Sequence, residues 1–543
     1  MRAVETRSRL GGHVVVETLE ALGAGAVFGL PGTHVLPIWE ALRASDLRYV
    51  GFRTELNAGF AADGYARVSG DPAVLVVSTG PGALISLAAL MEAQSAHVPV
   101  VTLAGQIPTD LIGRGRGYLH ELRDQRASFE PVVKWSATAR ASEALPELLA
   151  EAWRRALEPP SGPVFLEVPV DILRGDARIP PVEEVDRPPS PPPLPSADAL
   201  DAAASILRDA TRPVLWAGGG VLRAGASAEL RALAERARAV VATTYMGKGA
   251  FPEDDPLAVG SPCDEGAFRA LLEGADVLVC VGTELGAETT GQYSLRPKGR
   301  LIHIDAAPER VGATYPALGL VGDARGVLAA LLERIPPREL DGEAEARAQE
   351  TRDRIGAGLD EQGRDLERRL LGTIRAALPR DGVHAWDMTM LAYWAAAHFP
   401  AYEPRRFLYP LGSGTLGYAW PAALGATLAT PGAPSLAVVG DGGFLYGLQE
   451  LATARQYDLA ATLLLVDDRA YGILRKHQQN AFGETYAVHL EQPDFPALVA
   501  AFGVPVESTT PDDLGGALER AFGTEGPAVV HLPVELEMWS PTE

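Results

Sequence analysis

Short, valine-rich apolar runs recur along the whole chain. A stretch with helical periodicity follows each, and this alternation leaves few folds open. The runs lie at Ala26–Gly29, Ala73–Ser78, Val98–Ala104 and Val164–Val168, then at Val214–Ala217, Val240–Thr243, Asp276–Gly282 and Arg300–Asp305. A third set occupies Phe407–Tyr409, Leu436–Val439, Ala461–Val466 and Ala528–Leu532. Runs this short and uniformly apolar suit strands buried on both faces, and strands alternating with helices build parallel sheets clad in helices. The expected fold class is α/β, with three doubly wound, mainly parallel-sheet domains. No short repeat of solenoid type is visible.

Two segments divide the chain. Residues 179–196 carry Pro180, Pro181, Pro188, Pro189, Pro191, Pro192, Pro193 and Pro195, a run that favours extended polyproline geometry. Residues 336–366 are highly charged and poor in apolar residues, and read as an exposed helix or a mobile connector. The expected domains are therefore 1–178, 197–335 and 367–543. A chain of 543 residues is long enough for two to four domains. Its formal net charge of −22 argues against nucleic acid or an anionic membrane as partner. Cys263 and Cys280 are the only cysteines, so no disulfide scaffold is expected and a reducing, cytoplasmic compartment fits. No apolar run approaches the ~20 residues of a membrane span.

One strand–helix–strand unit carries chemistry. Leu436–Val439 runs into Gly440-Asp441-Gly442-Gly443, a helix is expected over Leu448–Gln456, and Ala461–Val466 ends in Asp467-Asp468. Parallel strands bring their C-terminal ends to one edge, where open α/β sheets bind ligands. Two carboxylates beside glycines that admit backbone N–H groups suit a divalent cation holding a diphosphate. The expected ligands are Asp441, Asp468 and the carbonyl of Ala470, completed by phosphate oxygens and water. Alone, Gly-Asp-Gly is more often a tight turn. Glu55 follows a short strand at Tyr49–Phe52, before a helix expected near Asn57. By itself it reads as an acid favouring a helix N-terminus.

Together these segments resemble a known family. Gly440-Asp441-Gly442 with its later acid pair resembles the thiamin diphosphate (ThDP) motif. Arg53-Thr-Glu55, Ala62-Asp-Gly-Tyr-Ala-Arg67, Phe28-Gly-Leu-Pro-Gly32, Ser78-Thr-Gly-Pro-Gly82 and Gly414–Gly425 match in order. The likeness is to the acetolactate-synthase branch of the ThDP-dependent 2-oxo acid decarboxylases and carboligases. It implies pyrimidine-binding, central and diphosphate-binding domains in that order. It also implies a homodimer or homotetramer whose active sites join the first domain of one subunit to the last of another.

The resemblance makes Glu55 the acid that hydrogen-bonds the aminopyrimidine and favours its imino form. Leu416 becomes the residue that props the bent cofactor, with Gly440, Asp441, Gly442, Gly443, Asp468, Tyr471, Gly472 and Ile473 around the diphosphate and Mg²⁺. Thr33, Gln106, Met388 and His477 are candidate pocket residues, and His34 and His120 candidate proton-transfer groups. The expected reaction is decarboxylation of a pyruvate-like 2-oxo acid with carboligation to a carbonyl acceptor.

Several departures bear on the substrate. Asp467-Asp468 replaces the usual Asn-Asn. His120 stands where a glutamine is usual, Glu284 near a usual arginine, and His477 at a usual tryptophan. Gly113-Arg-Gly-Arg-Gly-Tyr-Leu-His-Glu-Leu122 resembles guanidino-2-oxo acid decarboxylases, so release of an aldehyde from a larger 2-oxo acid is an alternative. A catalytically silent ThDP-binding protein is another. A nicotinamide or flavin dehydrogenase lacks its glycine fingerprint here. Trp216-Ala-Gly-Gly-Gly220 reads as a tight turn. Ser261–Gly266 and Glu284–Glu288 stand in place of the family's flavin segments, so FAD is not the expectation.

Overall fold

The computed structural model describes residues 9–177, 179–185, 194–338 and 341–542. Three six-stranded sheets are present, and every recorded strand pair is parallel. The first holds β1 (Ala26–Gly29), β2 (Arg48–Gly51), β3 (Ala73–Val77), β4 (Val100–Gln106), β5 (Trp135–Thr138) and β6 (Val164–Pro169) in the order 2-1-3-4-6-5. The second holds β7 (Pro213–Ala217), β8 (Val240–Thr243), β9 (Ala258–Gly260), β10 (Val277–Val281), β11 (Arg300–Asp305) and β12 (Leu318–Val321), ordered 12-11-10-7-8-9. The third holds β13 (Val383–Trp386), β14 (Phe407–Leu408), β15 (Ser435–Gly440), β16 (Thr462–Asp467), β17 (Val506–Ser508) and β18 (Ala528–Pro533), ordered 14-13-15-16-18-17. The first and third sheets share one winding, strand for strand.

All but one of the apolar runs are central strands; Phe407–Tyr409 falls on the edge strand β14, and the central strand β13 carried no such run. β3, β4 and β10 are buried along their full length, as two-sided helical cover requires. Strands without such a run escape the sequence pattern: β5, β12 and β17 are edge strands, only half-buried in the main. The charged 336–366 stretch contains a helix, Glu343–Glu361, not a bare connector. It buries Ala344, Ala348, Thr351, Ile355 and Leu359 at helical spacing. Arg178, and within the proline-rich segment Asp186 to Pro193, lie outside the described residues. Its last residue, Ser196, caps the helix Ala197–Asp209 by accepting the Ala199 N–H.

The described chain packs as two units. One comprises the first sheet with Gly412–Gly432 and Gly447–Leu459; the other takes in the second and third sheets. In the first unit, helix Glu55–Ser69 crosses helix Ala419–Ala429 at backbone contact. A Cβ on Gly64 would stand 2.3 Å from the Ala422 carbonyl oxygen, and one on Gly425 2.0 Å from that of Ala61. Buried around this crossing, Arg67 pairs with Asp63 at 2.6 Å and Glu92 at 2.7 Å. Tyr418 donates to Asp63, and Ser413 to Glu92.

In the second unit, Lys248 is wholly buried and paired with Glu253 at 2.9 Å. Glu265 accepts from both the backbone and the hydroxyl of Thr542. The glycines after β7 serve packing: a Cβ on Gly218 or Gly220 would meet the backbone of Gly282, at 2.3 and 2.6 Å.

Candidate active site

The third sheet brings Asp441 and Asp468 to adjacent strand ends, since β15 and β16 pair with Gly440 opposite Val466. Asp441 does not sit in a free turn. It opens a short helix, Asp441–Gly447, directly from β15, and the next helix is Glu450–Gln456. Asp441 is 1% exposed, and its carboxylate accepts from Gln492 Nε2 at 2.6 Å. Burial raises its affinity for a proton, and so does the charge of Asp467. Asp468 is pushed up to about 7, by burial first and by Asp441 second, with Arg475 opposing. The Arg475 guanidinium stands 3.6 Å from Asp468 Oδ2. Two buried carboxylates that each resist ionisation are a site short of positive charge.

Glycines shape the space around them. A Cβ at Gly472 would lie 2.3 Å from Asp468 Oδ2, one at Gly442 2.7 Å from the Tyr471 ring, one at Gly440 2.9 Å from Thr389 Oγ1, and one at Gly443 3.0 Å from Asp387 Oδ1. The Asp468–Ala470 turn places Arg469 at a left-handed φ of 56°. A strap then fixes it: Tyr471 N–H donates to Val488, Leu490 N–H donates to Arg469, and Ala470 bridges His489. The strap continues to Gln492, which carried no signal in the sequence because it lies 51 positions from its partner. Ile473 is the second residue of the helix Gly472–Phe482, which has no buried residue, and His477 is exposed on it. Met388 is half-buried after β13, its N–H on Asp387 Oδ1. Among the described residues no group of three or more His, Cys, Asp or Glu side chains gathers as a metal cluster.

The first unit carries the other candidates. Glu55 is the first residue of helix Glu55–Ser69, not one preceding it, because Thr54 is the cap and accepts the Asn57 N–H. Burial raises the Glu55 carboxyl above its ordinary range. Its Oε1 occupies the place beside Gly82 where a side chain would begin, 2.7 Å from an ideal Cβ. Behind it, buried Glu450 accepts from Arg53 N–H, Asn57 Nδ2 and Thr453 Oγ1. Leu416 is half-buried in the loop before helix Ala419–Ala429.

His34 and His120 come together, with ring centroids 5.4 Å apart. Both Nδ1 atoms are buried without a hydrogen-bond partner. Burial, with the charges of His120 and Arg174, lowers His34 below the usual imidazole range. His120 has a left-handed φ of 67°. Thr33 is exposed, its carbonyl accepting from Arg174 at 3.0 Å. Gln106 is buried with both amide ends engaged, by Glu167 and by Ile107 N–H.

With this geometry in hand, comparisons place the chain among known proteins. Thiamine pyrophosphate enzyme domains match in sequence: the N-terminal TPP binding domain over residues 9–128, the central domain over 200–331 and the C-terminal TPP binding domain over 387–532. A probable 2-ketoarginine decarboxylase of Pseudomonas aeruginosa is 39% identical over 96% of this chain and 93% of its own. This chain belongs to the thiamine pyrophosphate enzymes, in their acetolactate synthase-like family. A probable acetolactate synthase large subunit of Methanocaldococcus jannaschii is 34% identical over 97% of this chain and 92% of its own. An acetolactate synthase large subunit of Corynebacterium glutamicum is 32% identical over 96% and 86%. The family makes thiamine diphosphate the expected cofactor. No helix among the described residues is long and apolar enough to cross a membrane.

Proposed function

We propose that this protein is a Mg²⁺- and thiamine diphosphate-dependent decarboxylase of a 2-oxo acid, releasing an aldehyde. Asp441, Asp468 and the Ala470 carbonyl would hold the metal, with Gly440, Gly442, Gly443, Tyr471, Gly472 and Ile473 about the diphosphate. Glu55 would hold the aminopyrimidine, and Leu416 would support the cofactor's bend. Thiamine diphosphate, when bound, supplies the electron sink for the broken C–C bond.

The observation that carries the reading is the histidine pair. An aldehyde forms only if a proton is delivered after carbon dioxide leaves, and His34 and His120 offer two unpartnered, buried imidazole nitrogens. A neutral His34 beside His120 can pass a proton on without trapping it. Burial raises Glu55, so it holds a proton more readily than a solvated carboxyl does. The name of the Pseudomonas relative supports a guanidino 2-oxo acid as substrate. A second reading, ligation of a pyruvate-derived unit to a carbonyl acceptor, draws on the acetolactate synthase relatives.

The deciding experiment incubates the protein with ThDP, Mg²⁺ and a panel including pyruvate and 5-guanidino-2-oxopentanoate, with and without aldehyde or ketone acceptors. Free 4-guanidinobutanal is the expected product; acetolactate would install the second reading. Turnover that survives removal of both cofactors would refute both. ThDP binding without turnover on the whole panel would identify a silent relative. The active oligomer is proposed to be a homodimer or homotetramer, with Glu55 and the aspartates of each site drawn from different copies.

A further inference from the structure

We propose that Glu167 is a positioning residue for this reaction: it dictates which way two glutamine amides point, and through them fixes the floor beneath His34 and His120. The inference rests on those histidines as proton-transfer groups. Glu167 lies near the end of β6 and is 3% exposed. Its hydrogen-bond partners are uncharged: Gln106 Nε2 at 2.9 Å and Gln125 Nε2 at 3.1 Å on Oε2, and the Thr138 hydroxyl at 2.7 Å on Oε1.

A carboxylate only accepts, so both amides must turn their NH₂ groups towards it. Their carbonyl ends are thereby committed elsewhere. Gln125 Oε1 accepts Gly80 N–H and Gln106 Oε1 accepts Ile107 N–H, each at 2.8 Å. The second proton of the Gln125 amide goes to the Gly105 carbonyl at 2.9 Å.

Gly80 and Gly105 are the residues on which the histidines rest. Gly80 has φ 66°, and a Cβ there would stand 2.6 Å from the His120 carbonyl oxygen. A Cβ on Gly105 would stand 2.9 Å from His34 Cβ. Gln125 thus ties together the two backbone points beneath the ring pair, and Glu167 sets the orientation in which it can do so. From the other side, Glu121 accepts the N–H groups of Arg116, Gly117 and Tyr118 and restrains the loop entering His120. Gly80 also leads into Gly82, the glycine that makes room for Glu55. One acid that touches no reacting group in this scheme therefore sets the alignment of three that do.

The test uses full-length protein with ThDP and Mg²⁺, comparing wild type with Glu167→Leu, Glu167→Gln and Gln125→Leu. Hydrogen–deuterium exchange reads the Gly80 and Ile107 amides, and steady-state kinetics read the chemistry across pH. Glu167→Leu should speed exchange at both amides. It should lower kcat about 10- to 100-fold with KM little changed, as expected when a reacting group is misplaced by about 1 Å. It should also shift the limb of the kcat/KM–pH profile that reports the histidines. Glu167→Gln can turn its carbonyl to the glutamines and its NH₂ to Thr138, so it should restore protection and most of the lost rate. Where Glu167→Leu fails to fold, Gln125→Leu cuts the link to Gly80 with Glu167 in place and should reproduce the kinetic defect. Unchanged exchange in the leucine variants overturns the relay. Faster exchange with unchanged kcat and pH profile overturns the positioning role. A wild-type protein that turns over no 2-oxo acid overturns the assigned reaction and the positioning role with it, while the exchange data separately report the relay.

Discussion

Glu55 and Gly82 are a matched pair, a carboxylate seated where a larger residue would put its own side chain. Glu55→Gln should lower kcat by about 100- to 10,000-fold, the usual range for a lost acid–base group. Its melting temperature should hold, because the paired acid behind it is Glu450. At the proposed metal site the sign of the pH effect follows from Asp468. A carboxyl whose folded value is raised to about 7 lies above its unfolded value, so the folded protein keeps a proton that the unfolded chain has lost. Its contribution to stability therefore falls as pH rises from the ordinary aspartate range to about 7, and is flat beyond. A cation reverses that cost only once the carboxylates are ionised. Adding Mg²⁺ and ThDP to stripped protein should thus raise the melting temperature more at pH 8 than at pH 5; an equal gain at both would remove Asp468 from the site. Asp441 and Asp468 stood out as candidates in the sequence because each sits at a strand end, whereas Glu55 stood out only through the family resemblance. Gln492, Glu450 and Gln125 did not, because each meets its partner through folding from tens to hundreds of positions away.

Among elements, the crossing of helices Glu55–Ser69 and Ala419–Ala429 is the most exacting contact. Gly64→Val should destabilise the protein by about 1–3 kcal/mol or more by overpacking, since the new side chain meets backbone that cannot rotate aside. Arg67→Met leaves Asp63 and Glu92 buried without their cation and should cost about 3–5 kcal/mol, read as a lowered denaturation midpoint. Leaving ThDP chemistry in the residual folded fraction intact would mark these motifs as scaffold. The Ala-Asp-Gly-Tyr-Ala-Arg and Gly-Tyr-Ala-Trp-Pro segments stood out in the sequence beside the cofactor residues, yet their conspicuous small and charged residues make a helix crossing and an ion cluster. Most central strands were legible as apolar runs because both faces are covered, although central β13 was missed and edge strand β14 was found. β5, β12 and β17 were not, because an edge strand has less to bury.

For the molecule as a whole, the shared 2-1-3-4-6-5 winding of the first and third sheets puts strand ends of the same rank to different uses. β15 and β16 end in the aspartates, while β3 and β4 end in the Gly80–Gly82 turn and Gln106. If a working site takes Glu55 from one copy and Asp441 from another, two inactive variants should complement. Co-expressed Glu55→Gln and Asp441→Asn chains should regain about a quarter of wild-type activity in a statistical mixture of symmetric dimers. No recovery would place both residues of a site in one chain. The amino-acid sequence alone determined the α/β class, the three sheets and the two aspartates, because strand burial and strand-end offsets are local properties of the chain. Tertiary structure alone decided the histidine pair, the Gln125–Glu167 relay and the strap to Asp441, because these depend on side chains that become neighbours only when separate strands and loops are packed.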